Sequence, residues 1–267
     1  MPKPETDFHT DISERTVPYG HLRVPPSEKQ KRVQRHFDLI AQRYDLAYIL
    51  LSMGLYRRWK RICMQKLGLV PGHRLLDLCG GTGDVARTAV RTGGVLSVVY
   101  DLNRPMMTAG RKKTSRRNGL QWVHGNAERL AFSDAAFDRI FVGLGLRNLV
   151  RVDNGVAEMF RVLQPEGQLV ILEFSVPSAP AMRAVYDTYA FKVMPALGRL
   201  VTGARAPFRY LAESVQVFPR PESIRDMMEK TGFANVASQP LSKGLVTLYT
   251  AEKPGPYDVP PAGTRRR

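Results

Sequence analysis

Two aspartates bracket a run of glycines in "LLDLCGGTGDVA", Leu75 to Ala86. Asp77 stands three residues before Gly80, and Asp84 directly follows Gly83. Gly80, Gly81 and Gly83, with Thr82 among them, leave the backbone bare enough for a ligand to come close. A helix opening there offers unpaired amides. Gly81, Gly83 and Ala86 satisfy G-x-G-x-x-A, a dinucleotide fingerprint, so a nicotinamide enzyme must be weighed. The carboxylates argue against it: they repel a pyrophosphate and attract a ligand that carries an ammonium and a sulfonium. Asp101 and Leu102 end the next apolar run, where a carboxylate can accept both ribose hydroxyls. Asn126 and Ala127 follow a third run, where an adenine edge belongs. These spacings make S-adenosylmethionine the expected cofactor. Asp138, opening a fourth run, reads as structural.

The elements that must hold these residues alternate. "RLLDLC", "VLSVVYD", "LQWVHG", "FDRIFVGLGL" and "QLVILEFS" read as strands. "DVARTAV", "RPMMTAGRKK" and "DNGVAEMFRVL" read as helices, the last capped by "QPEG". Continuous apolar strands between helices predict an α/β fold, with a mostly parallel sheet covered on both faces. Ligands of such sheets bind at the carboxyl ends of the strands.

Around this core, 72–175, the sequence divides further. Residues 1–29, rich in proline and charge, read as a disordered arm. Residues 30–70 follow helical spacing and read as a lid, interrupted at "SMG" (Ser52 to Gly54). Residues 180–230 read as a helical substrate or membrane region, and 231–253 as a closing hairpin. The tail 254–267 reads as disordered. Together 30–253 form one domain.

The chain has 267 residues, 43% of them hydrophobic, enough for a substantial core. No apolar run approaches the roughly 20 residues that cross a bilayer. The early residues carry Glu5, Asp7, Asp11 and Glu14, unlike a signal or transit peptide, so a cytoplasmic location is expected. Cys63 and Cys79 suit neither a zinc site nor a disulfide framework, and no metal is expected. The net charge of +16 favours anionic partners.

The longer motifs resemble the ubiquinone/menaquinone biosynthesis C-methyltransferase family. They are "HFDLIAQRYD", "LSMGLYRRWKR", "LLDLCGGTGD", "DLNRPMMTAGRKK", "GNAERLAFSDAAFD", "GLGLRN", "EMFRVLQPEGQLVILEFSVP", "YDTYAFKVMPALG", "FRYLAESVQVFP" and "KGLVTLY". The likeness runs from about Val33 to Leu248. It implies a Rossmann-like class I methyltransferase fold with a seven-stranded sheet. It also implies methyl transfer from S-adenosylmethionine to a ring carbon of a prenylated quinol, in menaquinone or ubiquinone synthesis. The family's cofactor positions fall on Thr82, Asp101, Asn126 and Ala127, and a further one on Gly143. Relatives often have serine at that last position, and asparagine where Tyr48 stands.

A ring carbon becomes nucleophilic when a neighbouring quinol hydroxyl loses its proton. Arg147 is the candidate to stabilise that phenolate and orient a water, since guanidinium is a poor base. Asn148 is the candidate to position the water or a quinol oxygen, and Tyr44 to act as relay or lid. An isoprenoid tail requires a lipid surface. Residues 183–201 offer Val185, Tyr186, Tyr189, Phe191, Val193, Met194, Leu197 and Leu200 among Arg183, Lys192 and Arg199. They suit peripheral docking on an anionic membrane at its inner face. A homodimer or a quinone-synthesis assembly stays open as a partner, and a non-catalytic subunit of such an assembly as a rival reading. No nucleic acid is expected: the aromatic Pro-Pro turn of amino-group methylases is replaced by Gly145-Leu146-Arg147-Asn148, and neither cysteine is placed as a nucleophile.

Overall fold

The start of the described chain is ordered, against the expectation of a disordered arm. The computed structural model describes residues 16–114 and 119–255. Residues 1–15 of the expected arm, and 256–267 of the expected tail, lie outside them. Val17–Tyr19 (β1) and Leu22–Val24 (β2) pair as an antiparallel hairpin. Gly20 supplies the left-handed turn at φ +56. The Tyr19 ring stacks on Tyr210, centroids 4.7 Å apart, and its hydroxyl meets His36. This aromatic contact fixes a segment whose composition alone reads as mobile.

Three helices follow: α1 (Pro26–Ile40), α2 (Tyr44–Leu51) and α3 (Leu55–Leu67). The predicted interruption at Ser52 to Gly54 divides α2 from α3, with Gly54 at φ +77. Helices α1 and α2 lie over the site, and the first turns of α3 join them through Tyr56 and Lys60. Helix α3 is a core helix: Trp59, Cys63 and Leu67 are buried against Leu75 and Val170 of the sheet.

The sheet begins at β3 (Arg74–Leu78), followed by α4 (Asp84–Arg91), β4 (Leu96–Asp101), α5 (Arg104–Lys112), β5 (Leu120–His124), β6 (Phe137–Gly143), α6 (Val152–Val162) and β7 (Leu163–Phe174). The chain then forms α7 (Pro180–Thr188), a π turn over Tyr189–Val193, α8 (Met194–Thr202), α9 (Ala206–Val217) and α10 (Pro221–Thr231). It closes with β8 (Ala234–Leu241) and β9 (Val246–Glu252). Strand order is β5-β4-β3-β6-β7-β9-β8, and only β9 runs against the others. This is the expected seven-stranded, mostly parallel sheet. "QPEG" falls within β7 rather than capping α6.

Both faces are covered. On one, α3 and α4 bury Trp59, Val85 and Ala89 against Leu75, Val170 and Leu172. On the other, α6 and α10 bury Met159, Ile224 and Met228 against Leu76, Ile140 and Ile171. Helix α10 therefore belongs to the core, not to a substrate region. A third apolar cluster joins α1 and α2 to α8 and α9 through Ile40, Ala47, Leu51, Met194, Phe208 and Ala212. The chain turns back between β4 and β6 on either side of β3. This leaves a crevice at their carboxyl ends, and the third cluster roofs it.

Candidate functional site

One cavity fills that crevice. Its sheet side is formed by Asp77, Cys79, Gly80, Gly81 and Thr82 after β3, and by Asp101 and Leu102 after β4. Asn126 and Ala127 after β5, and Gly143 at the end of β6, continue the wall. Its helical side is formed by Phe37, Tyr44, Tyr48, Ile49 and Tyr56, with Asn148 nearby. Thus Tyr44, Asn148 and nine of the ten cofactor candidates meet around one space. Gly83 is not on its wall. A Cβ there would come 2.8 Å from Trp122 and Val99, so Gly83 serves close packing and the left-handed start of α4.

The glycine turn is shaped by main-chain bonds. Gly81 sits at φ +54 and donates its N–H to Asp101 Oδ2 at 2.8 Å. Asn103 N–H donates to Asp101 Oδ1 at 2.6 Å. Each carboxylate oxygen keeps acceptor capacity for a ribose hydroxyl. Burial raises the Asp101 carboxyl above its usual range, with the amides opposing. Asp77 is 2% exposed and accepts the Ala86 N–H at 3.0 Å, bracing α4. Burial, with Asp84 and Asp101 nearby, lifts its carboxyl to about 7. Asp84 itself is engaged by Lys60 at 2.8 Å and by the Tyr56 hydroxyl at 3.2 Å. Asn126 Oδ1 accepts Glu128 N–H, which shapes the turn after β5.

The residues fit S-adenosylmethionine. A Cβ on Gly81 would project to 3.0 Å from Met106 and 4.0 Å from Asp101, into the space a nucleoside needs. The acids match a ligand with two cationic groups. Cys79 lies on the wall at φ +55, and burial holds its thiol well above the ordinary range, which makes it inert. A Cβ on Gly143 would meet Phe141 at 2.8 Å, so a side chain there would require that ring to move.

Arg147 departs from expectation, and Thr82 has a second engagement. The Thr82 hydroxyl donates to Asp45 Oδ1 at 2.6 Å, which ties the glycine turn to α2 while its oxygen keeps acceptor capacity toward the cavity. Lys113 also bonds Asp45, at 2.9 Å, and Arg87 approaches to 3.6 Å. Burial opposes charge on Asp45, but these partners outweigh it and hold its carboxyl below the usual range. Arg147 does not reach the cavity wall. It is 7% exposed, and its Nη1 donates to Glu173 Oε1 at 2.8 Å and to the Leu144 carbonyl. Its Nε donates to Ser214 at 3.3 Å, and its charge lies 5.3 Å from the Phe174 ring centre. Burial disfavours the guanidinium charge, but Glu173 restores it. Tyr48 lines the cavity, and its buried hydroxyl lies close to both Tyr44 and Arg147. The Tyr44 ring packs against Tyr48 at a tilt of 37°, centroids 4.8 Å apart, and Tyr210 donates to Asn148 Oδ1 at 3.3 Å.

The ubiE/COQ5 methyltransferase family model matches residues 26–253. The chain belongs to that family. It is accordingly an S-adenosylmethionine-dependent C-methyltransferase. The ubiquinone/menaquinone biosynthesis C-methyltransferase UbiE of Methylobacterium nodulans is 40% identical, over 90% of this chain and 98% of that one. Its Pseudomonas paraeruginosa counterpart is 38% identical, over 91% and 96%. Among solved structures, a Haemonchus contortus phosphoethanolamine N-methyltransferase complex with S-adenosyl-L-methionine superposes with TM-score 0.56. That likeness covers 74% of this chain and 52% of that one at 15% identity, and carries the fold alone.

Sequence reasoning passed over Asp45, Glu173, Glu128 and Lys29. Glu173 left a signal: a carboxylate inside the apolar strand "VILEF", fully buried, demands a cation. Glu128 accepts Val150 and Arg151 amides. Lys29, 5% exposed, donates to the Leu149 carbonyl at 2.5 Å, and burial lowers its ammonium to about 8. It fastens α1 to the loop that carries Arg147 and Asn148.

Proposed function

We propose that this enzyme methylates a ring carbon of a prenylated quinol in respiratory quinone synthesis. Demethylmenaquinol is our first reading. A polyprenyl-methoxy-benzoquinol, or both rings, is the alternative. The observation that carries the proposal is the single cavity that joins the carboxylate-flanked glycine turn to an aromatic space. Phe37, Tyr44 and Tyr48 line that space, and a flat ring fits among them. The family and the curated names of its members support the same reading.

When bound, S-adenosylmethionine supplies an electrophilic methyl group on sulfur. Asp101 would hold its ribose, Asn126 and Ala127 would meet its adenine, and Asp77 would face its cationic end. The quinol ring lies against Tyr44 and Tyr48, with Asn148 directed at one of its oxygens. Arg147 acts at a remove: its fixed charge lowers the cost of a developing phenolate across Tyr48 and Phe174. The roof of α1 and α2 excludes water from the reacting carbon. A prenylated quinol resides in a lipid bilayer, and a chain of net charge +16 is drawn to anionic lipid there.

Mass spectrometry of quinones from cells lacking this chain names the substrate. Accumulation of demethylmenaquinone supports the naphthoquinol. Accumulation of the benzoquinol precursor supports the alternative, and an unchanged quinone pool sinks both.

A further inference from the structure

The expected membrane segment is only partly outward. Tyr186, Tyr189, Phe191 and Met194 pack inward against α1, α2 and α9. What remains outside on α8 and just before it is one helical face: Val193 at 40% exposure, Leu197 at 40% and Leu200 at 79%. Helix α2 lies beside α8 and antiparallel to it. At one end Arg43 Nη1 donates to the Val201 carbonyl at 2.8 Å, and at the other the Tyr189 hydroxyl donates to the Leu51 carbonyl at 2.6 Å. The inner side of this pair is closed by Ala47, Leu51 and Met194. The outer side of α2 leaves Leu46 and Leu50 about half exposed, and Met53 in the turn after it more so. Large apolar residues this exposed, gathered on two adjoining helices, mark a contact surface.

Charge names the partner. Residues 180–205 carry Arg183, Lys192, Arg199 and Arg205, all exposed, against the single acid Asp187. Arg43 adds to them, while Asp45 is turned to Thr82, Lys113 and Arg87. A second copy docking on the same face would set these cations against one another. An anionic bilayer meets both features, taking the leucines among its acyl chains and the cations among its head groups.

Position supplies the second argument. Helix α2 also presents Tyr44, Tyr48 and Ile49 to the cavity. One helix thus has the reaction space on one side and the apolar face on the other. We propose that the outer faces of α2 and α8 form the surface by which the enzyme docks on anionic membrane, with the isoprenoid tail of the substrate passing beside α2 into the lipid. The identity of the tailed substrate rests on the quinol reading above; the docking face does not.

The test uses the full chain and two variants that place a negative charge on the apolar face, Leu46→Glu and Leu200→Glu, with thermal unfolding to confirm their folding. Vesicles of phosphatidylcholine with phosphatidylglycerol are compared with phosphatidylcholine alone. The wild type is expected to float with the anionic vesicles and to leave them at high salt. Each variant is expected to bind them about tenfold or more weakly. Methylation of a short-tailed, water-dispersed quinol stays unchanged in the variants, whereas methylation of a long-tailed quinol embedded in vesicles falls by a similar factor. Variants that bind anionic vesicles like the wild type overturn the proposal. So does a wild type that ignores those vesicles but forms a dimer that Leu200→Glu dissociates. Vesicle binding lost as expected, with no methylation of any quinol by the wild type, keeps the docking face and removes the substrate assignment.

Discussion

On the sheet side of the cavity, main-chain amides do the holding: Gly81 and Asn103 on Asp101, Ala86 on Asp77. On the helical side and behind it, side chains grip side chains: Thr82 and Lys113 on Asp45, Tyr210 on Asn148, and, away from the cavity wall, Arg147 on Glu173 and Ser214. A wall of backbone tolerates sequence change as long as the turn survives. A wall of paired side chains depends on each partner. The first suits a cofactor that many enzymes share, and the second a substrate that few do.

The largest effect should come from the buried pair behind the helical wall. Glu173→Gln leaves the Arg147 guanidinium with its counter-charge removed in a site where Glu173 is fully buried. A loss of about 3 kcal/mol is expected, seen as a melting temperature lower by roughly 6–12 °C. Cofactor affinity of the folded fraction should hardly change. If affinity falls instead, the two walls are not independent. Next, Asp101→Ala removes the acceptor of two amides and, in the proposed pose, of the ribose. Calorimetry should show S-adenosylhomocysteine binding about 100-fold more weakly. A variant that binds like the wild type would move the nucleoside elsewhere.

The smallest effect is a pH dependence of the sheet wall. The Asp77 carboxyl stands near 7 in the free protein. Its ionised form attracts the cationic end of the ligand, so binding below pH 7 must expel a proton. Affinity for S-adenosylmethionine should therefore rise by about tenfold between pH 6 and pH 8 and then level off. Asp77→Asn should flatten that dependence, and a slope that persists in the variant would acquit Asp77.

The same contrast explains what the sequence disclosed. The glycine turn, Asp101 and the strand–helix alternation are written in residues near each other along the chain, so spacing exposes them. Asp45 and Thr82 are 37 positions apart, and Arg147 and Ser214 67. Such pairs exist only once α2 and α9 have packed against the sheet. Arg147 lies in the turn after β6, but its direction is set by Glu173, whose strand gives no hint of which loop it faces. The hairpin of β1 and β2 is hidden by a proline-rich composition, because its anchor, Tyr210, lies far along the chain and meets it only in the folded state.

The lone reversed strand has a practical side. Because β9 descends against β7, pairing Glu252 with Gln168 at the amino ends of the parallel strands, the chain leaves the sheet on the side opposite the cavity. Lys253 is clasped there by the carbonyls of Phe160 and Leu163. A purification tag or fluorescent fusion joined beyond that point would hang clear of the entrance, whereas one joined ahead of Val17 would hang from the hairpin that touches Tyr210.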